Sequence, residues 1–505
     1  MSTIVDPSAA VSSNTFFGHP RGLAVLFATE MFERFSYYGM RALLILYTTA
    51  AVAHGGLGID TATAGAVYGL FTGAAYLLCL PGGWVADRIL GQRRSVFTGG
   101  ILIAAGNFML AVPAQSLFFL GLLVTAIGTG LLKPNVSAVV GELYKNESGA
   151  RRDAAFSIFY MGINLGAFLA PLVSGTIGET LGYRWGFASA GVAMLLGVWR
   201  YRASEHYLGE AGIQPATRDP QARQRAWRQL AIGAVVMALA AAVVASGVLP
   251  LTITAMAEGL GWGLVLIAAA FFAWVLIGGG LNAAERKRVL VLIVFFICAA
   301  VFWAGFEQAG STFNLFARDY TNRQWLGQFF TGGQHPVSWY QSVNSIFILV
   351  LSGVFAALWV ALGRRNRDPS APAKIGLGLV QLGVSFVVMI VAAQVVIARQ
   401  GPVGPQWLIF VYFLQTTGEL CLSPIGLSNV TKLAPPKFAG QMMGTWFLGA
   451  SAGNIAAGLI GGRIGAATAA AMPGEFTRMA LIAGGAGVLM LLATPWLRRW
   501  MGGIR

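Results

Sequence analysis

The chain has 505 residues, of which 56% are hydrophobic and only 10% are charged, and its mean hydropathy is +0.68. A soluble protein typically has about 25% charged residues, so this composition excludes a globular protein covered by water and indicates that the bilayer is the main solvent. The net charge of +15 would suggest a nucleic-acid partner in a soluble chain, but the distribution of the basic residues explains it without one.

The first 20 residues are mostly small or polar, and we expect them to form a disordered cytoplasmic tail. Beyond them, the chain is dominated by apolar stretches that reach the roughly 20 residues needed to cross a bilayer. Fourteen such spans are predicted, at 22–50, 63–85, 95–114, 117–141, 154–176, 184–201, 229–249, 255–280, 288–316, 338–362, 374–398, 406–431, 440–462 and 476–500.

The basic residues test this number of spans. With the N-terminus in the cytoplasm, fourteen spans place 25 Lys and Arg residues on the cytoplasmic side and six on the other side. This asymmetry is the one that the positive-inside rule describes, and one internal span more or fewer would destroy it. We therefore expect a multi-pass protein of the inner (plasma) membrane with both termini in the cytoplasm and no nucleic-acid partner.

The longest polar connection, 202–228, is basic and contains Pro215 and Pro220, which is typical of a linker between two halves. The two spans that follow it have no basic residue inside them and form an insert that we expect to be a peripheral hairpin. The predicted fold class is an all-α membrane protein. Its predicted organisation is a tail at 1–20, a six-helix bundle at 21–201, the linker and two-helix insert at 202–286, and a second six-helix bundle at 287–505.

Seven charged residues lie inside the predicted spans, where each costs roughly a few kcal/mol or more unless it faces a partner or a water-filled cavity. Four are acids and three are bases: Glu30, Glu33, Glu307, Glu419, Arg34, Arg41 and Lys133. One carboxylate is therefore left without a basic partner. Because burial favours the neutral form of a carboxyl group, the excess acid is a natural proton acceptor. Static ion pairs that hold the helices together are the alternative.

The first span gathers its polar residues on one face. At roughly 100° per residue, six of them fall within an arc of about 140°: Glu30, Glu33, Arg34, Tyr37, Tyr38 and Arg41. Phe32 and Phe35 lie on the opposite side. A helix surrounded by lipid would not present such a face, so we expect it to line a cavity. Two acids beside an arginine form a site whose proton affinity can be switched.

All four histidines fall in predicted tails or loops, so proton coupling would have to rest on carboxylates rather than on the usual titrating residue near neutral pH. The three cysteines lie singly in apolar stretches and favour neither a disulfide framework nor a zinc site. We expect no cofactor and no metal. A Gly-x-Ser-x-Gly pattern at Gly449–Gly453 lacks the strand-turn-helix context of a hydrolase, so a membrane-embedded enzyme is the less favoured alternative.

Motifs along the chain resemble those of one transporter family. The first-span segment Glu30–Gly39, with Glu33, Arg34, Tyr37 and Tyr38 at their positions, is similar to the signature of the proton-dependent oligopeptide transporter (POT) family of the major facilitator superfamily. Six further segments resemble the other motifs of that family in the same order: Gly83–Gly91, Lys133–Asn135, Phe159–Gly166, Phe302–Ser311, Gln341–Asn344 and Gly418–Pro424. The resemblance implies the major facilitator fold, here with two extra helices that resemble those of bacterial members.

The resemblance also implies roles for single residues. Proton coupling is assigned to Glu30, Glu33, Arg34 and Glu307. Arg41 is expected to pair with Glu307 and to meet the substrate carboxylate, and Lys133 is expected to pair with Glu419 across the two halves. The implied peptide-binding set consists of Tyr37, Tyr38, Arg41, Tyr68, Lys133, Asn164, Trp303, Glu307, Gln341, Asn344, Glu419, Ser423 and Trp446.

The predicted function is proton-coupled import of di- and tripeptides by alternating access. Alternatives in the same class are transporters of nitrate, of a glucoside or of a peptide-like drug. Two departures from the family pattern matter. Gly69 follows Tyr68 where animal members have a histidine, which agrees with coupling by carboxylates alone. Ser345 follows Asn344 where the family often has proline, so a helix break at Asn344 stays open.

Overall fold

The computed structural model describes residues 15–502 apart from 216 and 218, with the backbone alone at 245, 423–425, 427, 428 and 431. The predicted disorder of residues 1–20 therefore falls mostly outside the described residues. The prediction of disorder does not hold for the segment from Phe16 to His19. These two residues exchange two backbone hydrogen bonds of 2.8 and 2.9 Å. The buried His19 ring, with Nδ1 2.8 Å from the Tyr144 hydroxyl, fixes this segment against the helices.

The first half of the chain consists mainly of helices joined by short connections. Its α-helices are α1 (Arg21–Thr49), α2 (Thr61–Leu77), α3 (Cys79–Val85), α4 (Gln92–Ala111), α5 (Gln115–Leu143), α6 (Gly149–Ala170), α7 (Thr176–Thr180) and α8 (Tyr183–Ser204). A π-helical segment, Ala86–Leu90, continues α3, and another, Pro171–Gly175, joins α6 to α7. Short 3-10 turns lie at Val52–His54 and Glu205–Leu208.

The insert and the second half follow the same pattern. The insert consists of α9 (Pro220–Ala245) and α10 (Ile253–Gly278). The second half contains α11 (Ala283–Phe306), α12 (Thr312–Tyr320), α13 (Tyr340–Arg364), α14 (Ala371–Arg399), α15 (Gln406–Leu433), α16 (Ala439–Ala466) and α17 (Met472–Trp500). Its 3-10 turns are Glu307–Gly310, Gln324–Phe329, Val337–Trp339 and Pro436–Phe438.

The described helices account for all fourteen predicted spans, and the predicted all-α class is confirmed. Within the part of the chain that the structure describes, ten helical segments are long and apolar enough to cross a membrane by length and composition. The other long helices are α1, α8, α15 and α16, and α1 carries four charged side chains between residues 30 and 41. The largest boundary error is at α9, which begins at Pro220 rather than at 229 because its first turns are polar and capped by Asp219.

The two halves touch through glycines on α2 and α16. A Cβ atom at Gly65 would lie 2.4 Å from the Cα of Gly462, and one at Gly458 would lie 2.4 Å from the Cα of Gly69. Only glycine permits this approach, which is the small-residue packing common between membrane helices. The Ser451 hydroxyl adds a 2.8 Å hydrogen bond to a main-chain oxygen of α2.

The insert lies at the side of these bundles. The middle of α9 presents exposed apolar side chains such as Ile232, Val236 and Leu239, as expected for a surface that faces lipid. By contrast, α10 packs against α2 and α16, where Ala257 and Leu264 are buried. The insert therefore lies against both bundles at the place where α2 meets α16.

Candidate functional site

The charged face of α1 is buried between helices of the first half. Glu30, Glu33, Arg34 and Arg41 are 2%, 0%, 3% and 4% exposed, and α1 packs between α6 and α8. Gly166 allows this packing, since a Cβ there would lie 2.2 Å from a main-chain oxygen of α1. The polar arc that the sequence predicts is thus turned inward, away from lipid.

One arginine on this face forms ion pairs with two carboxylates. Arg34 Nε lies 3.3 Å from Glu30 Oε1 and also donates to Glu33. The Arg34 guanidinium sits over the Tyr37 ring, 5.1 Å from its centroid. Among the described residues, Glu30 Oε2, Glu33 Oε1 and Arg34 Nη2 are buried without a hydrogen-bond partner. Buried polar atoms without partners are costly, so this set of acids gains from a bound proton.

A second ion pair joins the two halves. Arg41 Nη1 lies 3.1 Å from Glu307 Oε2, close enough for an ion pair although the atoms are not aligned as a hydrogen bond. The guanidinium also lies over the rings of Tyr38 and Tyr68, 5.3 and 6.0 Å from their centroids. The Tyr68 hydroxyl donates to the main-chain oxygen of Glu307 at 3.2 Å. The structure therefore gathers four of the residues that the sequence assigns to the site.

The position of Glu307 follows from a break in its helix. α11 ends at Phe306, and the 3-10 turn Glu307–Gly310 separates it from α12. Gly310 passes so close to Tyr68 that a Cβ there would lie 2.1 Å from the tyrosine hydroxyl. A side chain at this position would push α2 away, so the glycine keeps Tyr68 against the turn that carries Glu307.

Lys133 and Glu419 do not form the expected pair. No ion pair between them occurs among the described residues. Lys133 Nζ lies 3.7 Å from the centroid of the Tyr76 ring on α2, while Glu419 Oε2 accepts a 3.2 Å hydrogen bond from Asn344 Nδ2. A cation–π contact and a neutral amide donor have replaced the partner charge in this conformation. The pair remains a prediction for another conformation.

The Asn344 amide connects α13 to α15. Besides Glu419, its Nδ2 donates to Thr416 Oγ1 at 3.0 Å. α13 is a continuous helix from Tyr340 to Arg364, so Ser345 introduces no helix break. Sequence reasoning missed both Thr416 and Tyr76. A signal for Tyr76 was available, because it is a polar aromatic residue about two turns after Tyr68 within a predicted span.

The remaining predicted site residues lie outside these ion pairs. Asn164 Nδ2 donates to the Tyr160 main-chain oxygen of its own helix at 3.0 Å, and Gln341 Nε2 lies 3.5 Å from the Ala42 main-chain oxygen on α1. Trp303 Nε1 is buried without a hydrogen-bond partner among the described residues.

Trp446 is 9% exposed. Its ring fills the space beside Gly426, where a Cβ would lie 2.0 Å from the ring. The side chain of Ser423 lies outside the described residues.

Outside the membrane spans, the loop before α13 folds around His335. Arg323 Nη1 donates to the His335 main-chain oxygen, and His335 Nδ1 lies 2.6 Å from the Arg323 main-chain oxygen. Burial lowers the pKa of His335. Burial also lowers the pKa of Arg323, and the Glu179 carboxylate acts in the opposite direction. Within the described residues, no group of three or more His, Cys, Asp or Glu side chains could hold a metal ion.

The charged groups of this site can exchange partners. Its described side chains do not include a nucleophile next to a general base. It combines two acids that share one arginine, an ion pair between the halves, and an acid held by an amide. Breaking the ion pair between the halves frees one cation and one anion at the same time. Such a set can bind a ligand that carries both charges, and it can release or take up a proton as it does so.

Comparisons with known proteins agree with this geometry. A family model described as "POT family" matches residues 93–478. Peptide transporter YePEPT of Yersinia enterocolitica is 42% identical, and the match covers 96% of each chain. A di-/tripeptide transporter of Lactococcus lactis subsp. cremoris is 38% identical, over 86% of this chain and 88% of the relative.

Among solved structures, a mutant of peptide transporter POT in complex with alafosfalin superposes with a TM-score of 0.88. It is 40% identical to this chain, and the match covers 97% of each. The predicted architecture of two bundles with two extra helices is confirmed by this likeness along almost the whole chain.

Proposed function

Because the chain belongs to the POT family, we propose that it imports di- and tripeptides together with protons across the inner membrane. It is a multi-pass membrane transporter and not an enzyme. The relatives named above, a peptide transporter and a di-/tripeptide transporter, support the choice of substrate. The distribution of Lys and Arg supports cytoplasmic termini.

The observation that carries the proposal is the Arg41–Glu307 ion pair between the halves. A peptide carboxylate that binds Arg41 competes with Glu307 for the same guanidinium. Glu307 is then a buried acid without its cation, and it gains from taking up a proton because burial disfavours an unpaired charge. Peptide binding and protonation of Glu307 thus favour each other, which is the coupling that a symporter needs.

The charged face of α1 supplies the second proton-sensitive group. Arg34 cannot neutralise Glu30 and Glu33 together, and each acid keeps one oxygen without a hydrogen-bond partner from any described residue. In this proposal a proton on one acid leaves Arg34 to the other and changes the packing of α1. This shift would link the protonation state to the positions of Tyr37 and Tyr38 on the same helix.

The ends of the peptide supply the charges that the site recognises. Arg41 and Lys133 suit its carboxylate, and Glu419 with Asn344 suits its amino group. Aromatic side chains such as Trp303 would form the pockets for peptide side chains. The full proposed binding set comprises Tyr37, Tyr38, Arg41, Tyr68, Lys133, Asn164, Trp303, Glu307, Gln341, Asn344, Glu419, Ser423 and Trp446.

Transport would follow from rocking of the two bundles around this site, as in other transporters with a substrate site between repeats. The empty protein closes by pairing its own charges, and the peptide and the proton shift the balance between closed and open states. Peptides with different side chains are tolerated because the termini carry the interaction.

The experiment is uptake of labelled dialanine into vesicles that contain the purified protein. An inward proton gradient should drive accumulation, and a protonophore should abolish it. Unlabelled di- and tripeptides should compete, whereas nitrate and a glucoside should not. No gradient-driven uptake of dialanine would contradict the proposal, and competition by nitrate or the glucoside would favour the alternative substrate.

A further inference from the structure

Glu179 makes an unusual contact between the two halves. It lies on α7, in the first half, and its carboxylate reaches the start of the helical segment 337–364 in the second half. Glu179 Oε2 accepts a hydrogen bond from the Val337 N–H at 2.7 Å, and Oε1 accepts one from the Ser338 N–H at 2.8 Å. We call these three residues the clasp. Both oxygens of the carboxylate are used.

The local sequence explains why the second half needs this carboxylate. The first N–H groups of a helix have no acceptor within the helix. They are usually capped by the side chain just before it. Here that residue is Pro336, which has no side-chain acceptor. Glu179 therefore supplies the N-cap from the other half, with its negative charge at the positive end of the helix dipole.

The contacts around the clasp also join the two halves. The Ser338 hydroxyl donates to the Pro171 main-chain oxygen at 3.3 Å, and Trp339 Nε1 donates to the Thr176 hydroxyl at 2.8 Å. One turn further along, the Ser342 hydroxyl donates to the main-chain oxygen of residue 168 at 2.7 Å. The clasp is thus part of a continuous seam between α6–α7 and α13.

Glycine makes the close approach possible. A Cβ atom at Gly175 would lie 2.1 Å from the Ser338 hydroxyl oxygen and 2.6 Å from its Cβ. Gly175 ends the π-helical segment that joins α6 to α7. The seam therefore has no room for a larger side chain at this point.

We propose that the clasp is a reversible latch that closes this end of the transporter and that Glu179 is a positioning residue for transport. α13 carries Gln341 and Asn344 within two turns of the clasp, so the latch also fixes their position relative to α1. The latch rests on the proposed function, because it has a role only in a protein that opens and closes this end. An opened clasp leaves N–H groups and a carboxylate that water can solvate, so its release is reversible.

The test uses pulsed electron spin resonance on the full chain in vesicles. Spin labels replace the exposed residues Leu181 in the first half and Phe329 in the second, both at this end of the molecule. The three native cysteines are buried, and a sample without the two engineered cysteines checks that they stay unlabelled. The unsubstituted clasp should give mainly the short distance. Glu179→Ala should raise the ratio of long to short distances roughly tenfold, as expected for a lost N-cap.

Two comparisons separate a latch from a general weakening of the fold. Glu475→Gln changes the same charge at the same end but within one helix, where Glu475 pairs with Arg478, and should leave the distances unchanged. Gly175→Ala keeps Glu179 but places a methyl group against Ser338, and should also favour the long distance. Adding Ser338→Gly to Gly175→Ala should restore the short distance. Glu179→Ala or Gly175→Ala with unchanged distances would overturn the proposal.

The latch and the proposed function can fail separately. The distance measurement needs no peptide, so an opened end in Glu179→Ala supports the latch even if the unsubstituted protein does not accumulate dialanine. If dialanine accumulates but the distances in Glu179→Ala and Gly175→Ala match those of the unsubstituted protein, the transport function stands and the latch is wrong.

Discussion

The charged face of α1 and the clasp use the same chemical group in opposite ways. On α1, two glutamates share one arginine, and each keeps an oxygen that has no hydrogen-bond partner in the described part of the chain. In the clasp, both oxygens of one glutamate accept main-chain hydrogen bonds. A buried carboxylate with too few hydrogen-bond partners is stabilised when it binds a proton. A carboxylate whose two oxygens both accept hydrogen bonds from neutral donors stays in place and holds those donors. In our proposal, the α1 face changes its protonation state during transport, and the clasp holds the two halves together.

The largest expected effect is at the α1 face. Glu33→Gln should abolish accumulation of dialanine against its gradient while peptide exchange continues, because the acid that shares Arg34 with Glu30 can no longer change its charge. Uptake and counterflow in the same vesicles measure the two activities. Glu258→Gln, an exposed acid on α10, is the matched control. Undiminished accumulation in Glu33→Gln would remove this residue from the coupling mechanism.

Arg41 links the α1 face to the second half, so its substitution should have the next largest effect. Arg41→Ala should weaken dialanine binding by about thirtyfold or more, since removing one partner of a buried charge pair typically costs about 2–5 kcal/mol. Equilibrium binding to purified protein measures the change. The exposed Arg223 on α9 provides the control substitution Arg223→Ala. Equal affinity in Arg41→Ala and the unsubstituted protein would refute the assigned contact with the peptide.

A smaller effect is expected where a neutral amide holds an acid. Asn344→Ala removes the Glu419 donor at 3.2 Å and the Thr416 contact at 3.0 Å. Because a neutral hydrogen bond contributes about 0.5–1.5 kcal/mol, affinity for dialanine should fall by about two- to tenfold. Thermal unfolding should show that the protein remains folded. A loss as large as that of Arg41→Ala would mean that Asn344 acts as more than a neutral donor.

The smallest effect is expected beside the clasp. Ser342→Ala removes one hydrogen bond of the seam, at 2.7 Å, but leaves Glu179 and its two donors in place. The ratio of long to short distances between labels at Leu181 and Phe329 should rise by only a few-fold, less than for Glu179→Ala. A change equal to that of Glu179→Ala would show that the seam as a whole, and not the carboxylate, closes this end.

The α1 face could be found from the sequence because charges inside an apolar span are an anomaly. Their spacing also gave the polar arc, which the structure turns inward. The partner of Arg41 came from the family resemblance, and the structure brings Glu307 to it through a helix break. The resemblance did not give the contact of Lys133 with Tyr76, because it pointed to Glu419 in the other half, and a pair between the halves depends on the conformation.

The clasp could not be found in this way. Glu179 lies beyond the predicted span 154–176, where an acid is unremarkable, and only the structure extends that helix to Thr180. Its partners are main-chain N–H groups, which every residue except proline has. Pro336 was the one hint, since it leaves the following helix without its own cap. Contacts between distant backbone segments leave no pattern in a single sequence.

In the proposed mechanism, peptide and proton move together. The most direct measurement is proton flux in vesicles that contain the protein, with a pH-sensitive dye inside and dialanine added outside without any imposed gradient. We predict acidification of the interior that begins with dialanine, increases with its concentration and is absent in Glu33→Gln. Dialanine entry without any change of internal pH would contradict the account.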